Sequence, residues 1–529
     1  MDHPELPEGL QQIAEWLELY PASALSELQA LHFFAEEEDN QPFAWRSYRH
    51  NRVPELPLAL IHPSFAHFLD ISRGHGEDLP SSTPDQEIAI LQLCVHAVKF
   101  MMDESEREEA FKPILERILG QKITNIALEA REGIFRTRLT ILSPSKQSLY
   151  LVVEIKNELY DTDSDAYLEG GAVIADLWLN EEKLQPTAAS TTCPTFLLEI
   201  MGPHARFSGV ALLNEINMEP LTPMLQLFPS LATNQHHCHT LLRAFVALAS
   251  SLEEGMRQET EHDASASRVR GHADCSVPYP LHRYEDVTWV SSGSTGNFMY
   301  VVTLPGGQRA MAKLTQAYGR PAHEALAAAG LAPKLWADHC RDLQGGWQLI
   351  MMEYLAPEDG WSLLPELQAS ESLRASVHNL LAKAHDLGYV HGDCRIDNIT
   401  AQTRHRHEDG TYPLRFIDLD WAGRAGEARY PPFMNHTHIK WPSGVKTHAH
   451  VLAEHDMSIA MQSYDLLVFE QKQLKLQKAR ARAAPSSPSA DSTPAMRAYT
   501  ASCRRRQSQP VCKLHVSRAR PSPRILFSK

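Results

Sequence analysis

The sequence predicts an α+β multidomain chain, helical at its start and mixed in two later bodies. Three observations predict this. The chain has 529 residues, more than one hydrophobic core can serve, so several domains are expected. Apolar residues recur three and four apart up to about residue 125 and then shift toward strand-like runs rich in β-branched and aromatic residues. Past about residue 280, after a polar stretch without period, strands and helices mix again.

Residues 1–125 read as a helical N-terminal region. LQQIAEWLELY, ALSELQALHFFAEE and EIAILQLCVHAVKFMMDESEREEAF carry the helical spacing, broken by HPSF near Pro63 and by a Gly/Ser/Pro stretch over 73–84. Residues 126–257 read as an α/β domain. IFRTRLTIL and SLYLVVEIKNEL are its first strands, a helix runs through Ala166–Leu179, FLLEIMG and FSGVALL follow as strands, and CHTLLRAFVALASSLEEGM closes it as a helix. Residues 258–279 read as a linker. In residues 280–470, TWVSSGSTGNFMYVVTLPGGQRAMAKL forms three strands, with turns at SGSTG and PGG. A helix near 321–330, the strand LIMMEYL and the helix SLRASVHNLLAKAHDLG come next, the last ending at Gly388. NITAQ and LRFIDL flank an Asp409-Gly410 turn as a hairpin, and EHDMSIAMQSYDLLVFEQ is the final helix.

Composition narrows the function classes. The eight cysteines include no CxxC pair, which suits free thiols in a reducing compartment. The start, MDHPELPEGL, lacks a secretory pattern, and no apolar run approaches the ~20 residues of a membrane helix. A soluble cytoplasmic or nuclear protein with no membrane partner is expected. Residues 471–529 hold 14 Lys and Arg against Asp491 alone; the chain's −15 less this tail's +13 leaves −28 on the preceding 470 residues. So acidic a body does not suit nucleic acid. The basic tail could bind it, or carry a nuclear import signal around Arg504–Arg506, but a solvated disordered tail is the plainer expectation.

The chemistry concentrates in HGDCRIDNI and FIDLDWAG. Asp393 stands five residues before Asn398, and Asp418 ends an apolar run. Phosphoryl transfer from ATP needs a carboxylate beside the attacking hydroxyl and oxygen ligands for Mg²⁺, and these residues can supply both. Upstream, Gly293 and Gly296 lie in a turn between strands where backbone N–H groups could approach phosphate oxygens, although most such turns are plain hairpins. Lys313 sits in the apolar strand AMAKL and calls for an anionic partner, a phosphate or a carboxylate such as Glu324 on the next helix. Taken singly, each has a structural explanation: a salt bridge, a turn aspartate, a polar strand end.

In this order the parts resemble the protein-kinase-like fold over roughly residues 285–467. The resemblance implies a two-lobed domain, with a truncated C-lobe because the chain has only one helix, that of Asp456, where a full kinase continues. It implies a glycine-rich loop of Ser291, Gly293, Ser294 and Gly296, and Lys313 on the α- and β-phosphates, paired with Glu324. Met352 to Leu355, including Glu353 and Tyr354, would lie beside adenine. Asp393 would orient or deprotonate the acceptor hydroxyl, Arg395 would stand near the γ-phosphate, and Asn398 and Asp418 would bind Mg²⁺. Asp456 would pin the catalytic loop from below. The sequence departs from the pattern in three places. Gly392 replaces the arginine that pairs with an activation-loop phosphate, Asp418-Leu419-Asp420 replaces DFG, and there is no APE motif. HGD also occurs in small-molecule kinases of the aminoglycoside and choline type. More narrowly, GEARYPPFMN, WPSGVK and EHDM resemble fungal kinase-like proteins related to the fungal-type protein kinase family, which pair this lobe with an N-terminal α/β domain.

In the first body, VVEIKNE puts Glu154 and Lys156 on one face of a strand. They resemble the ExK half of PD-(D/E)xK nucleases, whose carboxylates bind Mg²⁺. The aspartate of the preceding strand is missing, and Glu129 or Glu132 on an upstream helix are the substitutes at hand. His236-His237-Cys238-His239 reads as a polar loop, since adjacent ligands rarely converge on one ion. The expectation is therefore a phosphotransferase using ATP and Mg²⁺ on a protein or small-molecule hydroxyl. The alternatives are a pseudokinase that only binds nucleotide or partners, and a nuclease-like domain regulated by the kinase lobe.

Overall fold

A computed structural model of the chain describes residue 7 and residues 10–14, 45–46, 56–76, 79–129, 135–157, 165–213, 215–228, 234–264, 277–292, 298–408, 410–437 and 439–483. The expected helix ALSELQALHFFAEE, residues 293–297 of the SGSTG turn, Asp409, and the tail from 484 onward lie outside the described residues. The chain divides into two compact units. One gathers Met1–Thr288, Val301–Gln316 and Ala337–Met351; the other gathers Trp289–Tyr300, Ala317–Trp336 and Met352–Lys529.

In the first unit, strand β1 (Trp45–Arg46) precedes helices α1 (Leu58–Ile61), α2 (Pro63–Arg73), α3 (Pro84–Ala97) and α4 (Glu104–Leu119). Their starts are chemically specified. His62 caps α2, its Nδ1 accepting from the Ser64 N–H at 3.3 Å ahead of Pro63 in the first turn. A capping box between Thr83 and Gln86 opens α3. The single helix expected over EIAILQLCVHAVKFMMDESEREEAF is in fact α3 and α4. Asp103 accepts from the Glu106 N–H at 2.9 Å and starts a new helix, because an N-cap side chain satisfies donors that a continuous helix would have used internally.

Strands β2 (Thr124–Glu129), β3 (Phe135–Leu142) and β4 (Leu149–Lys156) form an antiparallel meander. Helices α5 (Ala166–Asn180) and α6 (Gln185–Ala188) then carry the chain to β5 (Thr195–Met201), which pairs parallel with β4. Strands β6 (His204–Leu212), β7 (Ile216–Pro220) and β8 (Leu225–Gln226) complete a sheet ordered β1-β7-β6-β5-β4-β3-β2, with β8 beside β6. Every residue of β5 is buried, as expected for a strand packed on both faces. α5 supplies much of one core through Tyr167, Val173, Leu177 and Trp178. Glu129 therefore ends a strand, not a helix as expected, and Glu132 lies outside the described residues.

Helix α7 (Gln235–Ala264) runs farther than its expected end and takes in the first part of the expected linker; residues 265–276 lie outside the described residues. Once Leu241, Phe245 and Leu248 are buried, extending the helix at either end adds one hydrogen bond per residue fixed and needs no new nucleus. For the same reason His236–His239 ride on the first turn of α7 and not on a loop.

Strands β9 (Glu285–Ser292), β10 (Phe298–Thr303), β11 (Arg309–Thr315), β12 (Arg341–Asp342) and β13 (Gln348–Glu353) form a sheet ordered β12-β13-β11-β10-β9. The turn between β12 and β13 docks on α2 within the first unit. Asp70 accepts from the Gly345 N–H at 2.8 Å. Gly345 has φ 75°, and an added Cβ would stand 3.2 Å from that of Ala59.

The second unit contains α8 (Arg320–Ala328), β14 (Trp361–Leu363), α9 (Glu371–Asp386), β15 (Tyr389–Val390), β16 (Ile399–Gln402), β17 (Leu414–Phe416), β18 (Gly423–Arg424) and α10 (Ala453–Ala483). β14, β16 and β17 form one small antiparallel sheet, and β15 pairs with β18. Leu373, Val377 and Leu381 of α9 share a core with Ile399, Phe416, Ala460 and Tyr464. Helix α10 continues through the first residues of the basic tail, where Gln, Lys, Leu, Ala and Arg are strong helix formers. Among the described residues, no helix is long and apolar enough to cross a membrane.

Candidate active site

The loop between β15 and β16 carries Asp393, Arg395 and Asn398. α9 stops ahead of Gly388, whose φ of 80° only glycine adopts cheaply. β15 then pairs with β18, Val390 opposite Gly423, and this fixes where the loop begins. His391 folds under it, its Nε2 2.9 Å from the Ile417 carbonyl, while the Asp393 N–H meets its Nδ1 at 3.2 Å. The Ile417 N–H donates to the Asn398 carbonyl at 2.9 Å, so the loop's end is tied to the residue before Asp418.

Asp456, on α10, holds the loop from the other side. Its buried carboxylate accepts the His391 N–H at 2.7 Å and the Gly392 N–H at 2.8 Å, which is the pinning contact expected of it. The Cys394 thiol, which burial and then Asp456 push well above the usual thiol range, donates to the Asp456 carbonyl at 2.9 Å. Gly392 has φ 84°, and a Cβ there would come within 2.9 Å of the Trp421 Cβ. Position 392 therefore has neither the backbone conformation nor the space for a side chain.

Within this frame the polar groups converge. Arg395 Nε and Nη2 donate to the two carboxylate oxygens of Asp393 at 2.7 and 2.9 Å. Asn398 Nδ2 donates to the Asp393 carbonyl at 2.8 Å and to its Oδ2 at 3.1 Å. The bond to Asp393 raises the pKa of Arg395, and the charges of Asp397 and Asp418 add to the effect, so Asp418 acts on the same cluster. Asp418 has φ 60°, a left-handed conformation uncommon outside glycine that aspartate adopts more readily than most residues.

The remaining expected residues are distributed as follows. Gly293, Ser294 and Gly296 lie outside the described residues. Lys313 is buried on β11 in the first unit. Glu324, half exposed on α8 in the second, pairs with Arg320 at 3.2 Å. Glu353 ends β13 and Tyr354 follows it. The Glu353 carboxylate takes the Arg415 guanidinium at 2.7 Å and the Lys334 N–H at 3.0 Å, a partnership with no sign in the sequence.

In the first unit, Glu154 and Lys156 are both buried on β4. The Lys156 ammonium stands 2.9 Å from Glu169 on α5, and 3.5 Å from both Glu154 and Glu104 on α4. Burial pulls its pKa down, but Glu154, Glu169 and Glu104 together outweigh burial and leave it raised. Sequence reasoning missed Glu104 and Glu169. One signal for the latter was available, an acid inside the apolar helix AYLEGGAVIADLWL. Among the described residues, no group of three or more His, Cys, Asp or Glu side chains is arranged to hold a metal ion. Mg²⁺ needs no such group, since it is commonly held by one or two protein oxygens together with substrate phosphates, and the carboxylate and carboxamide of Asp418 and Asn398 are donors of that kind.

No family model matches the chain, and no curated protein does. Two solved structures to which it is similar are WaaP in complex with acyl carrier protein and the BubR1 kinase domain. WaaP shares 17% identity over 36% of this chain and 82% of its own, with a TM-score of 0.24. The BubR1 kinase domain shares 13% over 35% of this chain and 63% of its own, less than two thirds of its length, with a TM-score of 0.25. The structural neighbours are kinase-like. At these scores they add no weight to a mechanism, and they lend nothing to the fungal or nuclease-like resemblances.

Proposed function

We propose that this chain is a phosphotransferase that uses ATP and Mg²⁺ and passes the γ-phosphoryl group to a hydroxyl of a protein or small molecule. The observation that carries this reading is the clustering of Asp393, Arg395 and Asn398 on one loop pinned by Asp456, under the charge of Asp418. Asp393 orients the acceptor hydroxyl and receives its proton. The Asn398 nitrogen is engaged by Asp393, so its oxygen and the Asp418 carboxylate would be the groups to hold Mg²⁺. When bound, Mg²⁺ neutralises phosphate charge. Arg395 is within reach of Asp393 and, on leaving it, supplies positive charge for the transferred group. The same reading assigns Lys313, Glu324 and the glycine turn to nucleotide binding.

A second reading, a nucleotide-binding pseudokinase, draws on one feature. Both oxygens of Asp393 are already engaged by the Arg395 guanidinium, which competes for them with an incoming acceptor hydroxyl. Single-turnover assays with Mg-ATP on the wild type and on Asp393→Asn decide between them. The proposal expects transfer to fall at least ~100-fold in the variant with ATP affinity within a few-fold of wild type. ATP binding without turnover in the wild type would establish the pseudokinase, and equal turnover by Asp393→Asn would remove the aspartate from the mechanism.

A further inference from the structure

Asp418 keeps a left-handed backbone, φ 60°, and a residue other than glycine holds that conformation where its neighbours fix it. Backbone hydrogen bonds fix both of its flanks. Before it, the Phe416 N–H donates to the Leu331 carbonyl at 2.8 Å and the Ile417 N–H to the Asn398 carbonyl at 2.9 Å. After it, the Leu419 carbonyl accepts the Gly319 N–H at 3.0 Å and closes its own turn on the Ala422 N–H at 3.3 Å. Gly319 and Leu331 lie just before and just after α8, so one segment grips Asp418 from both sides. Ala322, Leu326 and Leu331 share a core with Phe416, Leu419 and Ala422.

A fully buried histidine closes this segment on itself. His323, in the first turn of α8, places Nδ1 2.7 Å from the Tyr318 hydroxyl and Nε2 2.8 Å from the Pro333 carbonyl. A carbonyl only accepts, so Nε2 carries the hydrogen, and in the neutral ring Nδ1 accepts from the hydroxyl. The ring therefore ties the chain ahead of α8 to the chain behind it. At the contact with Leu419, space admits only glycine. A Cβ on Gly319 would collide with the Ala422 carbonyl oxygen and stand 2.7 Å from that of Leu419, and backbone atoms cannot rotate aside as a side chain does.

We propose that residues 318–333 form a clamp that sets the Asp418 carboxylate for Mg²⁺, with Gly319 and His323 as positioning residues. This rests on the reading of Asp418 and Asn398 as the groups that hold Mg²⁺. The clamp fixes the backbone of one donor, and the Ile417 bond ties it to the residue that carries the other. Gly319 and His323 act on the metal only through the backbone of residues 416–419.

Calorimetric titration of the full chain with ATP, once with Mg²⁺ and once with a chelator, gives the factor by which the metal strengthens ATP binding. Asp418→Asn should abolish that factor. Gly319→Ala should reduce it at least ~10-fold, as loss of a metal ligand's support does, with metal-free ATP affinity within about three-fold of wild type. Tyr318→Phe, which deletes one hydroxyl and keeps the ring, should act in the same direction by less, and tests the clamp even if Gly319→Ala does not fold. With neither nucleotide nor metal present, hydrogen–deuterium exchange of a peptide spanning 415–423 should be faster in both variants. A wild type whose ATP affinity ignores Mg²⁺ removes the metal reading and the proposal with it. A wild-type metal effect that survives unchanged in the folded variants overturns the clamp alone. So does a loss of metal-free affinity equal to the loss with Mg²⁺, the mark of a merely structural role.

Discussion

Replacing Asp456 tests how the Asp393 loop is held, whatever reaction the site performs. Its carboxylate is 1% exposed and accepts two backbone N–H groups, from His391 at 2.7 Å and Gly392 at 2.8 Å. Each bond to a charged acceptor contributes about 1.5–3 kcal/mol net. The desolvation of the buried carboxylate offsets part of that sum, so Asp456→Ala should cost the second unit about 2–4 kcal/mol. Asp456→Asn keeps one acceptor but turns an NH₂ toward the other N–H, and should lose about half as much or more. The effect should be local first. Hydrogen–deuterium exchange of a peptide spanning 389–399 should accelerate by one to two orders of magnitude (about 1.4 kcal/mol per tenfold), with smaller changes in the sheet of the first unit. If the loop exchanges at the wild-type rate in Asp456→Ala, and thermal unfolding is unmoved, the two hydrogen bonds are not what hold it and the account of the site's rigidity fails.

Three further outcomes are expected. Gly392→Ala forces a Cβ into a left-handed residue against Trp421 and should destabilise by about 2–3 kcal/mol; a denaturation midpoint equal to wild type would show that the space exists after all. Lys156→Met removes the cation shared by Glu154, Glu169 and Glu104 and should cost about 3–5 kcal/mol, partly recovered in the double variant with Glu169→Gln; urea melts of the two proteins measure this, and a stable single variant would refute it. Burial lowers the pKa of His62 from 6.5 to about 4. Its contribution is complete above pH 6.5 and lost as pH falls toward 4, because the unfolded chain takes up the proton first, for a total of about 2–3 kcal/mol. His62→Asn, which keeps a capping side chain, should flatten that part of the stability profile, and an unchanged slope between pH 6.5 and 4 would acquit this residue.

Much of the architecture is legible in local sequence because its determinants are local. The β-branched and aromatic runs of β3, β4 and β5, the helix Ala166–Asn180, and the end of α9 before Gly388 follow from local composition, helical periodicity and a residue suited to positive φ. Element boundaries were less legible where packing at a distance decided them. Asp103 divides one periodic run into α3 and α4, and the polar start and end of α7 are helical because its apolar middle is anchored.

The candidate site divides along the same line. The sequence by itself determined which residues can do chemistry on the loop, since Asp393, Arg395 and Asn398 lie within six positions of one another and a tight loop must keep them together. It also determined that residue 392 carries no side chain. Only the tertiary structure decided why that is required, through Trp421, and what engages the other groups: Arg395 both oxygens of Asp393, Arg415 the carboxylate of Glu353, and Glu169 and Glu104 the ammonium of Lys156. Backbone conformation is governed by neighbours in the chain and leaves a trace in spacing. A buried charge is matched by whichever opposite charge folding brings within about 4 Å, and that partner can come from anywhere in the sequence.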